Sequence, residues 1–322
     1  MIFLLAACGG GGGSSSTATS SAASAPGGAS SPSGSSTATV ASSTLSTPQY
    51  APGSIESAMF AALNQARQSC GFTALEENTL LDKASDNHAQ YMGVNNAGGD
   101  TESTSNADFT CATYVARAAA VGFPASTFGA GVSAVEYSVS ASTNTQYGQA
   151  LISEWLGGAY HGPAVLVPSG VVGIGTYQTS YNGYPEVRAS ISLLNTTLGH
   201  ISSNAPLTYA CQGSTGVLYS VVGEQPAPPN TSGSFGTPIA VVGNPSDTIV
   251  LQSGTLTDSS GHAVSLQLLD SADDPNEILA PYMASAYPTA PLTAGTSYTA
   301  SITGIDNGTA FTRTFSFTTA IN

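Results

Sequence analysis

The chain is 322 residues long, room for two ordinary domains, and it carries five Lys/Arg against 19 Asp/Glu for a net charge of −14. Charged residues make up 7% of it, where about 25% is usual, and the five cations Arg67, Lys83, Arg117, Arg188 and Arg313 are scattered. With no basic patch to release counterions, nucleic acid is excluded as a partner, and so is electrostatic docking on anionic lipid.

The chain opens on a short apolar run, Met1 to Cys8, that ends Leu5-Ala6-Ala7-Cys8 and is followed at once by glycines. This resembles a bacterial lipobox, in which the cysteine is lipidated after cleavage. The resemblance implies a membrane partner through a lipid on Cys8. It also implies a place in the bacterial cell envelope, outer membrane, periplasmic or surface side, or secretion. The usual positively charged n-region is missing, so the true start is expected upstream; the alternative is a chance apolar start with Cys8 free or buried. Residues 9–52 are Gly, Ser, Ala and Thr with a few prolines, no charge and no apolar period. They read as a disordered tether.

Two helix-period runs follow. Ile55, Met59, Ala62, Leu63, Ala66 and Cys70 share one stripe, and Leu80, Leu81, Ala84, His88 and Met92 another, with a turn at Gly71 between them. Asn78 suits an N-cap, and Asp82 suits the positive end of the second helix. His88 lies on the apolar stripe, so it reads as a core histidine with a buried hydrogen-bond partner. Residues 95–109 read as a loop and 112–121 as helix-compatible. Residues 129–140 are weakly strand-like, and 147–156 return to helical spacing. Residues 171–177 and 186–194 are β-rich, with Tyr181-Asn182-Gly183-Tyr184 as a hairpin turn between them. Residues 213–235, Pro- and Gly-bearing, read as a linker. Beyond it, 248–257, 264–269, 297–305 and 311–319 alternate with period two, an immunoglobulin-like β-sandwich over 236–322.

The order N-x-x-R, C-G-F-x-x-L, N-x-x-L-x-x-A-x-x-H-A-x-x-M, carried by Asn64, Arg67, Leu75, Leu80, Ala84, His88 and Met92, resembles the CAP superfamily, the cysteine-rich secretory, antigen 5 and pathogenesis-related-1-like (SCP-domain) proteins. The fold class expected is α+β: a CAP-type α/β/α sandwich over residues 53–212, followed by the small all-β Ig-like sandwich. The resemblance also implies a cleft of two histidines and two glutamates. Glu136 matches a G-E-N-like strand position and His161 a late histidine after Trp155, while Asp100 stands where the first histidine is usual and Gly158 where longer members have a second glutamate. The binding cleft expected is therefore Asp100, Glu102, Glu136 and His161. One histidine among carboxylates makes a poor zinc site. No cofactor is expected, although Asp100, Glu102 and Glu136 suit a hard divalent ion such as calcium. His200 and His262 lie in polar, loop-like sequence and carry no signal.

With Cys8 set aside for lipid, Cys70, Cys111 and Cys211 are an odd three. The expected bridge is Cys70 with Cys211, because it pins the exit of the first domain and closes a long loop, leaving Cys111 reduced. Cys70 with Cys111 is the second choice. No Gly-x-Ser-x-Gly elbow or serine beside a recognisable base occurs. The function expected is thus a monomeric, non-enzymatic binding or interaction lipoprotein for a small apolar ligand or envelope component. The alternative is a peptidase-like hydrolase using Glu136 and His161 as base and orienter.

Overall fold

The computed structural model describes residues 42–138, 142–197, 199–201 and 204–321. The lipobox, Cys8 and the tether up to residue 41 lie outside the described residues. Helix and strand occupy 21% and 35% of the chain, which makes the class α+β.

The first unit runs β1 (Thr44–Leu45), α1 (Ile55–Ser69), β2 (Glu76–Asn78), α2 (Thr79–Val94), α3 (Tyr114–Ala120), β3 (Phe128–Tyr137), α4 (Asn144–Leu156), α5 (His161–Val165), β4 (Val171–Tyr181) and β5 (Tyr184–Asn195). Short polar side chains start the helices. Ser54 accepts from the Ser57 amide, Asn78 from Leu80 and Leu81, and Thr143 forms a capping box with Gln146. The five strands order β1-β2-β4-β5-β3, with β2 parallel to β4 and the other pairs antiparallel. The hairpin between β4 and β5 turns on Asn182 and Gly183, both at positive φ, as an Asn-Gly type I′ turn requires.

Period-two alternation decides which helices each strand face meets. Val172 and Ile174 join Ile55, Met59, Leu63, Leu151 and Trp155 in the core under α1 and α4. The opposite face packs Val171 and Leu194 with Leu81 and Ala84 of α2 and Ala118 of α3. Gly173 and Gly175 sit beneath α2, where an added Cβ would lie 2.0 Å from the Leu81 carbonyl carbon and 2.1 Å from the Asp86 nitrogen. Only glycine admits that approach of helix to sheet.

The second unit comprises β6 (Leu207–Tyr209), β7 (Thr215–Val217), β8 (Val221–Val222), β9 (Ser234–Phe235), β10 (Ile239–Val242), β11 (Ile249–Asp258), β12 (Ala263–Ser265), β13 (Gln267–Asp270), β14 (Met283–Tyr287), β15 (Ser297–Asp306) and β16 (Thr309–Thr319). One sheet orders β13-β14-β10-β6 and a second β12-β11-β15-β16-β7. Ile239, Val241, Ala284 and Ala286 of the first meet Leu256, Ala300, Ile302, Phe315 and Phe317 of the second in a common core.

Two segments differ from the sequence reading, and a third feature was not foreseen in it. The stretch 213–235, expected as a linker, carries β7, β8 and β9, and the second unit already starts at β6, inside the span given to the first. Pro and Gly there shape turns, while Val217, Val221 and Phe235 are buried. The end of the expected tether is ordered too: Thr44 and Leu45 pair with Asn78 and Glu77, and the Tyr50 hydroxyl donates to Asp82 at 2.7 Å. Finally, the outer face of the β10–β14 sheet is no free surface. Ala240, Val242, Met283 and Tyr287 continue the core of Trp155, Tyr160 and Val165, so the two units share one apolar interior.

Cys70 and Cys211 are bridged, their Cα atoms 5.5 Å apart, within the span a disulfide demands. Cys111, expected to stay reduced, is disulfide-bonded as well, which corrects that expectation. The leftover thiol came from setting Cys8 aside and counting an odd three.

Candidate functional site

The residues singled out in the sequence fall into three places. The first is a buried hub formed where the loop after α2 crosses α3. Glu102, expected to line an open cleft, has a fully buried side chain. It takes His88 Nδ1 at 2.9 Å, the Thr110 amide at 2.6 Å and the Cys111 amide at 3.2 Å, with Arg117 Nε at 3.8 Å. Burial alone would raise its carboxyl, but the His88 and Thr110 hydrogen bonds and the Arg117 charge outweigh that and hold it below its ordinary value. His88 is the core histidine of the sequence reading. Its Nε2 lies 3.1 Å from the Gly99 carbonyl, so both ring nitrogens face oxygen atoms. Asp100 closes the hub, accepting from Ser133 Oγ at 2.8 Å and Tyr114 OH at 2.9 Å. Arg117 stacks 4.3 Å above the Tyr114 ring.

Glu136 lies elsewhere. The β3 register is continuous from Phe128 to Tyr137, so Ser133 and Glu136, three positions apart, project to opposite faces. Ser133 is the strand residue that reaches Asp100. Glu136 instead faces α4 and hydrogen-bonds Glu154, a residue the sequence reading passed over. Glu154 is exposed along its flank, yet its carboxyl is pushed up to about 8, by loss of water first and then by the charge and hydrogen bond of Glu136.

His161 occupies the third place, at the seam between the units. Its Nδ1 lies 3.1 Å from Glu224 Oε1. The same carboxylate accepts the amides of Ala159 and Tyr160 at 2.8 Å and of His161 at 3.0 Å. Burial pulls the imidazole down, but the hydrogen bond and charge of Glu224, with the Asp100 charge behind them, hold it above its ordinary value. Tyr160 OH donates to Asp274 at 2.8 Å, and Ser285 Oγ to the Ala159 carbonyl at 2.6 Å. Residues 159–161 are thereby stitched to the second unit at three points. Glu224 sits inside the expected linker, and nothing in that Pro-rich composition marks it; the signal, if any, is a lone carboxylate in a stretch otherwise free of charge.

Two cavities accompany these clusters. One of about 230 Å³ is lined by Tyr50, Glu56, Glu77, Asp82 and Asp86. Asp82 there is pushed up to about 8, chiefly by burial, against the hydrogen bonds of the Ile174 amide and Tyr50 and with the charge of Glu77. The other, of about 250 Å³, lies beside Arg67. Among the described residues no group of three or more His, Cys, Asp or Glu is arranged to hold a metal ion, and no helix is long and apolar enough to cross a membrane. No protein-family model matches the chain, and no curated protein matches it.

Proposed function

We propose that the first unit is a CAP-type module and the second an Ig-like sandwich of a cell-envelope lipoprotein anchored through Cys8. Its role on this reading is to bind a small apolar ligand or envelope component without turning it over. The observation that carries the reading is the latch between His161 and Glu224. Glu224 takes His161 Nδ1 and the three backbone amides of Ala159, Tyr160 and His161, which is the work of a structural tie between the units, and no nucleophile or substrate-facing base is placed beside it by these contacts. Gly158 adds support. The resemblance expects a second glutamate near that position, and the Glu224 carboxylate fills the space instead, so that a Cβ on Gly158 would lie 2.5 Å from Oε1. The histidine and the carboxylate thus serve to join the two units.

A hydrolase is the second reading, favoured by the Glu154 carboxyl, which burial and the neighbouring Glu136 raise to about 8, the poise of a general acid. Purified protein assayed on a panel of peptides and esters separates the two. Turnover that vanishes in the Glu136→Gln, His161→Ala double variant sinks the binding role; a ligand retained in native mass spectrometry, with no turnover, supports it. Anchoring has its own test, since a lipid thioether and a disulfide are exclusive uses of the Cys8 sulfur. A lipid-bearing peptide beginning at Cys8 supports the anchor, and an N-terminal peptide bridged to Cys111 overturns it.

A further inference from the structure

Arg67 is one of five cations in a chain of net charge −14, and it is the one buried with no acid beside it. The residue is 1% exposed on the last turn of α1, where its guanidinium lies 5.8 Å over the Phe72 ring and its hydrogen bonds go only to backbone carbonyls. Nε donates to Thr73 at 3.0 Å, and Nη1 to Val165 at 3.0 Å and Val167 at 3.2 Å. Nη2 has a single long contact, 3.5 Å to the Ser169 carbonyl. A guanidinium carries five N–H groups, so one of them has no acceptor and another only a marginal one. Burial lowers the guanidinium to about 10, with no opposing carboxylate to restore it. Desolvating a charge without a counter-charge is expensive, and the carbonyl dipoles meet only part of that cost.

Arg67 lines the cavity of about 250 Å³, together with Ser169, Gly170, Asn195, Thr197 and His200, and no carboxylate is in the lining. Thr197 and His200 are exposed and give the hollow a route to solvent. The Asn195 side-chain oxygen is engaged by the Thr196 amide, which leaves its amide nitrogen to face the space, 3.8 Å from where a Gly170 Cβ would stand. A cavity of roughly 150 Å³ takes a benzene ring, so this one holds a ring with a carboxylate attached.

We infer that this hollow is a binding site for a small monocarboxylate, whose anionic group completes the hydrogen bonds of Arg67 while Asn195, Thr197 and His200 contact it at the mouth. One guanidinium balances one negative charge. A phosphate dianion would leave an excess charge in an already acidic protein, which is why the assignment is to a carboxylate. The site stands apart from His161 and Glu224, so its fate and that of the binding role proposed above are decided by different residues.

The test is titration of the purified full chain with benzoate, with benzamide as its neutral counterpart and inorganic phosphate as the other anion, read by calorimetry and by the shift in Tm. Expected is saturable one-to-one benzoate binding with a Kd of about 1 mM or tighter, and benzamide at least ~10-fold weaker. Gly170→Leu should abolish benzoate binding while keeping the unliganded Tm, because, its chain neighbours aside, a Cβ at that position meets only Asn195 Nδ2, at 3.8 Å, and the position lines the hollow. Arg67→Lys should weaken binding about 10-fold or more, losing the planar fork. Should Arg67→Lys not fold, the Gly170→Leu and benzamide comparisons decide alone. Absence of saturable benzoate binding, benzamide binding equally well, or benzoate binding unaffected by Gly170→Leu overturns the site. Phosphate binding more tightly than benzoate overturns the carboxylate assignment.

Discussion

Removal of the Glu224 carboxylate is the most searching perturbation of this fold. In Glu224→Ala the amides of Ala159, Tyr160 and His161 lose their acceptor inside the seam, and His161 loses its ion pair. Each buried, unmet donor costs about 1–3 kcal/mol, less where water can enter, and breaking a buried charged pair from one side typically costs about 3–5 kcal/mol. The expected loss is about 3–5 kcal/mol. Glu224→Gln keeps one oxygen for Tyr160 and His161 but presents an NH₂ to the Ala159 amide, so about 1–3 kcal/mol is expected. Urea denaturation at pH 6 measures both. It can be followed through the single tryptophan, Trp155, which lies in the shared core. The pH profile adds a sign. His161 is held above its ordinary value in the folded state, so its contribution is full below the unfolded value of about 6.5 and is lost as pH rises through the folded value. Asp82, Asp86 and Glu154 are raised as well and lose stability in the same direction. The informative quantity is therefore wild type minus Glu224→Gln, which should shrink as pH rises above about 6.5. A Glu224→Ala protein within about 0.5 kcal/mol of wild type, or a difference that grows with pH, refutes the latch.

Further outcomes follow from the same geometry. With its carboxyl raised to about 8, Asp82 is mostly protonated at neutral pH. Asp82→Asn should then match wild type at pH 6 and exceed its Tm at pH 9, and equal destabilisation at both pH values would contradict the assignment. Gly175→Ala sets a Cβ 2.1 Å from the Asp86 nitrogen, so α2 must move off the sheet at a cost of about 3 kcal/mol or more, seen as a lowered Tm or insoluble product; an unchanged Tm would show the approach to be looser. Replacing Cys70 and Cys211 together by serine opens a loop spanning 141 residues and should cost about 4–5 kcal/mol in the chain-entropy account, measured by urea denaturation under non-reducing conditions. A cost below about 1 kcal/mol would mean that the seam already holds the exit without the bridge.

The sequence exposed elements in proportion to how unlike their two faces are. Helices α1 and α2 each have one wet side and one dry side, and their apolar stripes and caps placed them within a residue or two; so did β11, β15 and β16, whose outer faces are polar. β10, Ile239–Val242, and β14, Met283–Tyr287, are buried along their whole length and show no alternation, because one face packs in the sandwich and the other on α4 and α5. A short continuous apolar run cannot be assigned by period alone. α5 went unseen because five residues make barely more than one turn. The site shows the same divide. His88 could be read as a core histidine because its stripe position is local information. The partners of Glu136 and His161 could not, since Glu154 and Glu224 reach them through tertiary contacts that leave no spacing in the chain. The period-two rule does settle one point in retrospect: Ser133 and Glu136 cannot serve the same face of β3, so Asp100 could be joined to only one of them.

The latch also explains why a Pro-rich segment holds still without much secondary structure. Residues 213–235 place few apolar side chains inward, chiefly Val217, Val221 and Phe235, too few to order a stretch of that length against its conformational entropy. Three further devices act on it and its flanks. The Cys70–Cys211 bridge fixes the chain just before it. Pairing of β7 with β16 and of β8 with β9 satisfies part of its backbone. Glu224 then spends one carboxylate on three amides of the other unit, and Gly158 is the residue that lets it come close enough. Because Ala240, Val242 and Tyr287 close the apolar core from the far side of the same seam, loosening Glu224 should expose apolar surface from both units at once. The two units are therefore expected to unfold in one transition, and Glu224→Ala to lower that transition as a whole without splitting it.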